Sequence, residues 1–208
     1  MSKNQKVLFR SAAFVLCIAL LAAVTGCNKK QQGAEKGSKS ITLDEEEVPE
    51  SKEKIKVENN KIAVIETDKG TIKFSFYPDE APKTVENFIK LANEGFYDGC
   101  KFHRVVAGFV VQGGDPNSKD DDPTNDGQGG PGYTIEAEFS DLKHEDGAVA
   151  MARKSEPNSA GSQFYFCLGA QPHLNGQYTV FGQVTEGLNV VRKIEKGDAM
   201  NKVYIEEK

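Results

Sequence analysis

The sequence predicts a mainly β domain: a closed eight-stranded antiparallel barrel capped by two helices. Three observations predict it. About eight short runs rich in Val, Ile, Phe and Tyr are set apart by turn residues, with 20 Gly and 8 Pro spread along the chain. Only two stretches place apolar residues at helical spacing. A sheet of short strands hides its edges best by closing on itself.

The folded domain is expected over residues 60–208. Residues 62–67 form a strand and Asp68-Lys69-Gly70 a hairpin turn. Ile72, Phe74 and Phe76 alternate with Thr71, Lys73 and Ser75, so one face of the next strand is buried. Pro78 stops that strand. Asp79 or Glu80 can cap a helix with Pro82 in its first turn, where a missing N–H costs nothing. Val85, Phe88, Ile89 and Ala92 make one apolar stripe on it, read as core packing, and Gly95 ends it. Residues 102–111 read as one strand with a bulge or bend at Gly108, ended by Gly113-Gly114. Further strands are expected at 133–135, 148–152, 164–168 and 179–184. A second short helix is expected on Leu188, Val191 and Ile194 or Val190, and a last strand at 203–205.

Between them, residues 116–132 form a long loop with Asp120, Asp121, Asp122 and Asp126 crowded together. A solvated acidic loop is favoured over a calcium site, because the spacing lacks the EF-hand glutamate. Gly127-x-Gly129-x-x-Gly132 has the letters of a dinucleotide fingerprint, but it follows no apolar strand and contains Pro131, so it is discarded. The three histidines, His103, His144 and His173, have no metal-ligand spacing, and no metal or cofactor is expected. Ser162 lacks a nucleophile-elbow pattern. Cys100 and Cys167 read as two free thiols in preference to a disulfide, since Cys167 lies in an apolar strand. A net charge of −5 argues against a nucleic-acid partner.

The first 59 residues have a different character. Lys3, Lys6 and Arg10 precede an apolar run from Phe14 to Val24, too short to span a bilayer, that ends in Val24-Thr25-Gly26-Cys27. Small residues before a cysteine resemble the lipobox of bacterial lipoproteins. Residues 1–26 would then be a signal peptide, and Cys27 a lipid-bearing first residue. Simple cleavage after Gly26 and an uncleaved anchor are the alternatives. Cleavage would remove three of the 26 Lys and Arg and none of the 31 Asp and Glu, leaving −8. Residues 27–59 carry Lys, Gln, Gly, Ser and Glu with little to bury, and read as a flexible charged tether. Whether 52–57 forms a short strand or helix is left open.

Arg104 stands out in its apolar run, because guanidinium is rarely buried unpaired. Either it faces water from an edge strand, or it points into a cleft walled by Phe109, Val110 and Gln112. The motifs FHRVVAGFVVQGGD, GAVAMAR, PNSAGSQFYFCL and HLNGQYTVFGQV, in this order, resemble the cyclophilin-type peptidyl-prolyl isomerases over roughly residues 60–205. That resemblance implies a barrel capped by two helices, in agreement with the pattern above. It implies catalysis of X–Pro rotation in proline-containing polypeptides, by a monomer without cofactor, with Arg104, Phe109 and Gln112 catalytic. Arg104 would donate to the prolyl nitrogen and Gln112 would hold Arg104 and the substrate carbonyl. Phe109, Val110, Tyr165 and Leu174 would form the proline pocket, and Ala152, Arg153 and Gln163 would line the peptide groove. Val110, Tyr165, His173, Tyr178 and Arg153 depart from the family's usual methionine, phenylalanine, tryptophan, histidine and asparagine, which bears on efficiency and cyclosporin affinity. With the lipobox, the expectation is an extracytoplasmic isomerase held on a bacterial membrane by its lipid. A tethered proline-peptide holdase and a purely structural lipoprotein are the alternatives, against which Arg104 beside an apolar wall speaks.

Overall fold

Residues 61–76 already contain a hairpin in their pattern: two apolar runs joined by a turn ending in Gly70. In a computed structural model, which describes residues 60–208, these become β1 (Lys61–Thr67) and β2 (Gly70–Phe76), paired antiparallel. The signal segment, Cys27, the tether and the open question at 52–57 lie outside the described residues. The other strands are β3 (Arg104–Val106), β4 (Val110–Gly113), β5 (Ala148–Met151), β6 (Phe164–Cys167), β7 (Val180–Glu186) and β8 (Lys202–Glu207). The helices are α1 (Pro82–Asn93) and α2 (Leu188–Val191).

The strands form one antiparallel sheet in the order β3-β4-β6-β5-β7-β2-β1-β8. Among the described residues eight strands and two α-helices are as expected, but the sheet is an open half-barrel and not a closed barrel. The physical reason lies at its two ends. Lys101 bridges Ala199 antiparallel, just before β3 and β8 respectively. Two antiparallel chains leave such a bridge in opposite directions, so β3 and β8 diverge and cannot form a ladder. Backbone hydrogen bonds such as Met200 N–H to Cys100 O (2.8 Å) and Phe102 N–H to Asp198 O (2.8 Å) make a short seam there instead.

Three further expectations change. Residues 102–111 are not one bent strand: β3 and β4 fold back on each other, with Val105 opposite Val111. Gly108, at φ +69°, makes the turn in a left-handed conformation that other residues resist. Residues 133–135 form no strand, only an isolated bridge between Ile135 and Ala160. Lastly, neither Asp79 nor Glu80 caps α1. Its N-cap is Ala81, without a side-chain hydrogen bond. The cap comes from far along the chain: Glu138 accepts the backbone N–H of Lys83 (3.0 Å) and both the N–H (2.8 Å) and hydroxyl (2.8 Å) of Thr84. A carboxylate there meets unsatisfied donors and the positive end of the helix dipole. Replacing it, Glu138→Ala, should lower stability by about 1 kcal/mol and the melting temperature by about 3 °C. Calorimetry of the two proteins checks this.

The central strands β5 and β6 are buried on both faces, and the alternation along them and along β4 sorts residues between two cores. Val111, Val149, Phe164 and Phe166 point into the main core under α1, with Phe74, Phe88, Phe181 and Tyr97. Val110, Ala148, Ala150, Tyr165 and Cys167 point the other way and pack with Leu174 and Val180. That second cluster floors the site. Cys100 and Cys167 are free and buried. Burial raises their thiol pKa values to about 11 and about 12, so neither is a nucleophile at neutral pH.

Candidate active site

Four strands bring the site residues into one row. Arg104 on β3 stands opposite Gln112 on β4, Gln112 opposite Tyr165 on β6, and Tyr165 opposite Ala150 on β5. Directly opposed residues of antiparallel strands point to the same face. The outer face therefore carries, in order, a guanidinium, an amide, a phenol and a methyl group.

The β3–β4 turn adds an aromatic wall. Leu168 N–H donates to Phe109 O (2.8 Å) and the Gln171 amide to Gly108 O (2.9 Å), which pins the tip of the hairpin to the chain after β6. Phe109 is thereby held with its ring centre 5.5 Å from the Arg104 guanidinium carbon. Both readings of Arg104 meet here: it is exposed on an edge strand and it also lines a cleft.

That cleft is a cavity of about 240 Å³. Arg104, Phe109, Val110 and Gln112 form one side, and Ala152, Arg153, Tyr165, Leu174 and Tyr178 the other. Two of the expected residues are elsewhere. His173 lies exposed at the rim, stacked on Phe109 with centroids 5.6 Å apart and planes at 23°. Gln163 lines an adjoining groove of about 390 Å³, which shares Gln112, Ala152 and Arg153 with the first.

The resemblance implied that Gln112 holds Arg104; instead its amide donates to Gln163 Oε1 (3.0 Å). Gln163 in turn donates to Gly129 O (2.9 Å). The two glutamines thus fix each other along the boundary between cavity and groove. Arg153 is clamped as well: it donates to Gln177 O (2.9 Å), and its guanidinium lies 4.6 Å from the centre of the Tyr178 ring.

Sequence reasoning missed the wall of the groove formed by residues 127–134, with Lys154 and Ser159. The glycines set aside as a false fingerprint are part of it. Asp115, fully buried, organises this loop by accepting the backbone N–H groups of Asn117 (2.8 Å), Gly127 and Gly129. The signal was a lone Asp after Gly-Gly, too common a pattern to read. The acidic run beyond it stays exposed and self-capped: Asp120 accepts from Asp122 N–H (2.8 Å), Asp122 from Thr124 N–H (3.0 Å), and Asp121 pairs with Lys101 (3.3 Å).

The chemistry available is limited. Among the described residues no carboxylate lines either cavity; the charged groups there are Arg104, Arg153 and Lys154. Ser162 is buried and donates to Gly114 O (2.7 Å), so it is committed to structure. Burial raises the Tyr165 pKa, which keeps the phenol protonated. A site with cations, a pocket walled by Phe109, Val110, Tyr165 and Leu174 and fixed amides, with no carboxylate, histidine or cysteine among the described lining residues, suits a reaction in which no σ-bond breaks.

The family model for cyclophilin type peptidyl-prolyl cis-trans isomerase/CLD matches residues 62–207. The chain belongs to that family. Over 145 residues it is 47% identical to a peptidyl-prolyl cis-trans isomerase of Synechococcus elongatus, covering 69% of this chain and 94% of the relative. Peptidyl-prolyl cis-trans isomerase B of Bacillus subtilis is 50% identical over 141 residues, or 67% of this chain and 93% of the relative. Among solved structures, a Cryptosporidium parvum cyclophilin-type isomerase crystallised in the presence of the dipeptide Ala-Pro superposes with a TM-score of 0.61 at 30% identity. That match covers 71% of this chain and 99% of the other. This cyclophilin is therefore a peptidyl-prolyl cis-trans isomerase, and its half-barrel with two helices is the fold of its relatives.

Proposed function

We propose that the enzyme turns X–Pro bonds of polypeptides in the Arg104 cavity, and does so outside the cytoplasm, held to a membrane through Cys27. The carrying observation is the Arg104 guanidinium above the Phe109 ring, at the mouth of an apolar pocket free of carboxylates.

The chemistry follows from amide resonance. Rotation about the peptide C–N bond costs roughly 18–20 kcal/mol, so uncatalysed X–Pro exchange takes about 10–100 s. The barrier is lost conjugation. Binding the twisted amide better than either planar isomer lowers it, with no proton transfer. Phe109, Val110, Tyr165 and Leu174 take the pyrrolidine ring. As conjugation breaks, the prolyl nitrogen regains a lone pair, and Arg104 supplies fixed donors to it. Gln112, held by Gln163, faces the rotating carbonyl. Ala152, Arg153 and Gln163 carry the flanking peptide along the groove, while Tyr178 walls the proline cavity and His173 stands at its rim against Phe109. A dipeptide ending in proline in the crystals of the Cryptosporidium relative supports this class of substrate.

The location rests on the first 27 residues. A basic start, a short apolar run and a cysteine after small residues favour processing to a lipidated Cys27. Each buried CH₂ of an acyl chain adds about 0.8 kcal/mol, so two or three chains hold a protein that one would release. An acidic mature chain gains nothing from anionic headgroups, which leaves anchoring to the lipid. Such placement suits newly exported chains whose prolines are still isomerising. Among the described residues no helix is long and apolar enough to cross a membrane. Cys27→Ser should move the protein from the membrane to the soluble fraction, or leave it unprocessed, with unchanged isomerase rate per molecule. Mass spectrometry showing an unmodified Cys27 in soluble native protein contradicts the anchor.

A further inference from the structure

Behind the pocket floor, three side chains form a chain of hydrogen bonds. The Tyr165 hydroxyl lies 3.1 Å from His144 Nε2. His144 Nδ1 lies 3.1 Å from Asn175 Oδ1, which also accepts the His144 backbone N–H at 2.8 Å. His144 is 1% exposed and Tyr165 5%, so water offers little alternative.

This geometry fixes the protons. A backbone N–H only donates, so the Asn175 atom it meets is the carbonyl oxygen. That oxygen has no proton to offer, so Nδ1 must carry the ring proton and donate to it. Nε2 is left as an acceptor, and the Tyr165 O–H donates to it. The hydroxyl proton is thereby directed at His144, which is not part of the cavity wall, and Tyr165 turns its apolar ring to the cavity.

We propose that His144 and Asn175 are positioning residues for the isomerase: through this chain they lock Tyr165 as the floor of the proline pocket, and the pocket binds proline fully only while His144 is neutral. The inference rests on the reading of the cavity as the proline site. An imidazolium has two donors and no acceptor. Protonated His144 would strip the buried Tyr165 hydroxyl of its acceptor, which a buried polar group tolerates poorly.

The groups facing His144 are few. Tyr165 stacks on it from β6 with centroids 6.1 Å apart, Tyr178 meets it edge-on at 6.3 Å, and His173 acts on it as a like charge. Lys143 and Glu145 are its chain neighbours, both exposed. Burial holds the His144 pKa below the ordinary value, against the Asn175 hydrogen bond and with the help of His173. The chain of bonds is thus intact at neutral pH, and acidification breaks it at a midpoint below about 6.5.

Two measurements test this. Nitrogen-15 NMR of the histidines in the native protein should show His144 with its proton on Nδ1; a proton on Nε2 overturns the proposal whatever the activity. Isomerase rates from pH 8 to 5, with circular dichroism confirming the fold at each pH, should fall along an acid limb that tracks the His144 titration. That limb should persist in His173→Phe and disappear in Tyr165→Phe, whatever the plateau rate of the latter. At pH 8, Asn175→Ala should raise KM about five- to tenfold with kcat retained, since the floor holds ground and transition states alike. Asn175→Asp should keep KM near native, while its charge moves the acid limb upward by about one unit. An acid limb that survives in Tyr165→Phe, or an unmoved limb in Asn175→Asp, overturns the proposal with the isomerase reading intact. A protein with the expected tautomer but no isomerisation at any pH would instead overturn the assignment of the pocket.

Discussion

Arg104→Ala is expected to lower kcat/KM for a proline peptide about a hundredfold while leaving the protein folded. The loss corresponds to one charged contact made chiefly in the twisted state, on the order of 3 kcal/mol. Stability should barely change, because Arg104 is exposed and its contact with the Phe109 face is a cation–π interaction of about 0.5–1 kcal/mol at an exposed site. Arg104→Lys keeps the charge but loses the planar fork, so it should recover only part of the rate. Proton-exchange NMR or a coupled proteolytic assay gives the rates, and a melting curve gives the stability. Near-normal turnover by Arg104→Ala would remove the guanidinium from the mechanism.

The largest stability effect is expected at Phe88. Its ring lies within 6 Å of five others: Phe74 (5.3 Å), Phe76 (5.8 Å), Tyr97 (4.9 Å), Phe164 (5.3 Å) and Phe181 (5.7 Å). It is fully buried where α1 meets both arms of the sheet. Phe88→Ala removes the shared partner of these rings and leaves a cavity they cannot all close, at a cost of about 3–5 kcal/mol. Against a total of roughly 5–15 kcal/mol, the variant should be close to unfolding at 37 °C. Its urea midpoint should fall steeply, with Phe88→Leu losing much less because it keeps most of the volume. A change under 1 kcal/mol would mean that the aromatic cluster is not the centre of the core.

The sequence made some of this legible and not the rest, for physical reasons. Period-two alternation at Ile72, Phe74 and Phe76 and the helical stripe at Val85, Phe88, Ile89 and Ala92 are local signals, and both elements formed where expected. What failed depended on partners distant in sequence. The α1 cap is Glu138, 54 residues from Thr84, and no local pattern points to it. Closure of the sheet depended on the direction in which β3 and β8 leave the Lys101–Ala199 bridge. The apolar run 102–111 fits one strand as well as two, since a turn at Gly108 differs from a bend only in the pairing of Val105 with Val111. At the candidate site, the residues expected from the motifs were legible, and most of them line one cavity. The bonds behind them were not legible. Gln112 holds Gln163 and not Arg104, and His144 reaches Tyr165 from a segment with no motif of its own.

X–Pro rotation by this chain is expected to take place at the Arg104 cavity. Exchange NMR on an Ala-Pro-containing peptide, with the protein at a small fraction of the peptide concentration, tests it most directly when the protein's own amide shifts are followed in the same titration. The cis and trans peptide signals should broaden by catalysed exchange, with amide shifts concentrated at Arg104, Phe109, Gln112 and Gln163. Unaccelerated exchange, or full acceleration with shifts confined to surfaces away from these residues, would contradict it.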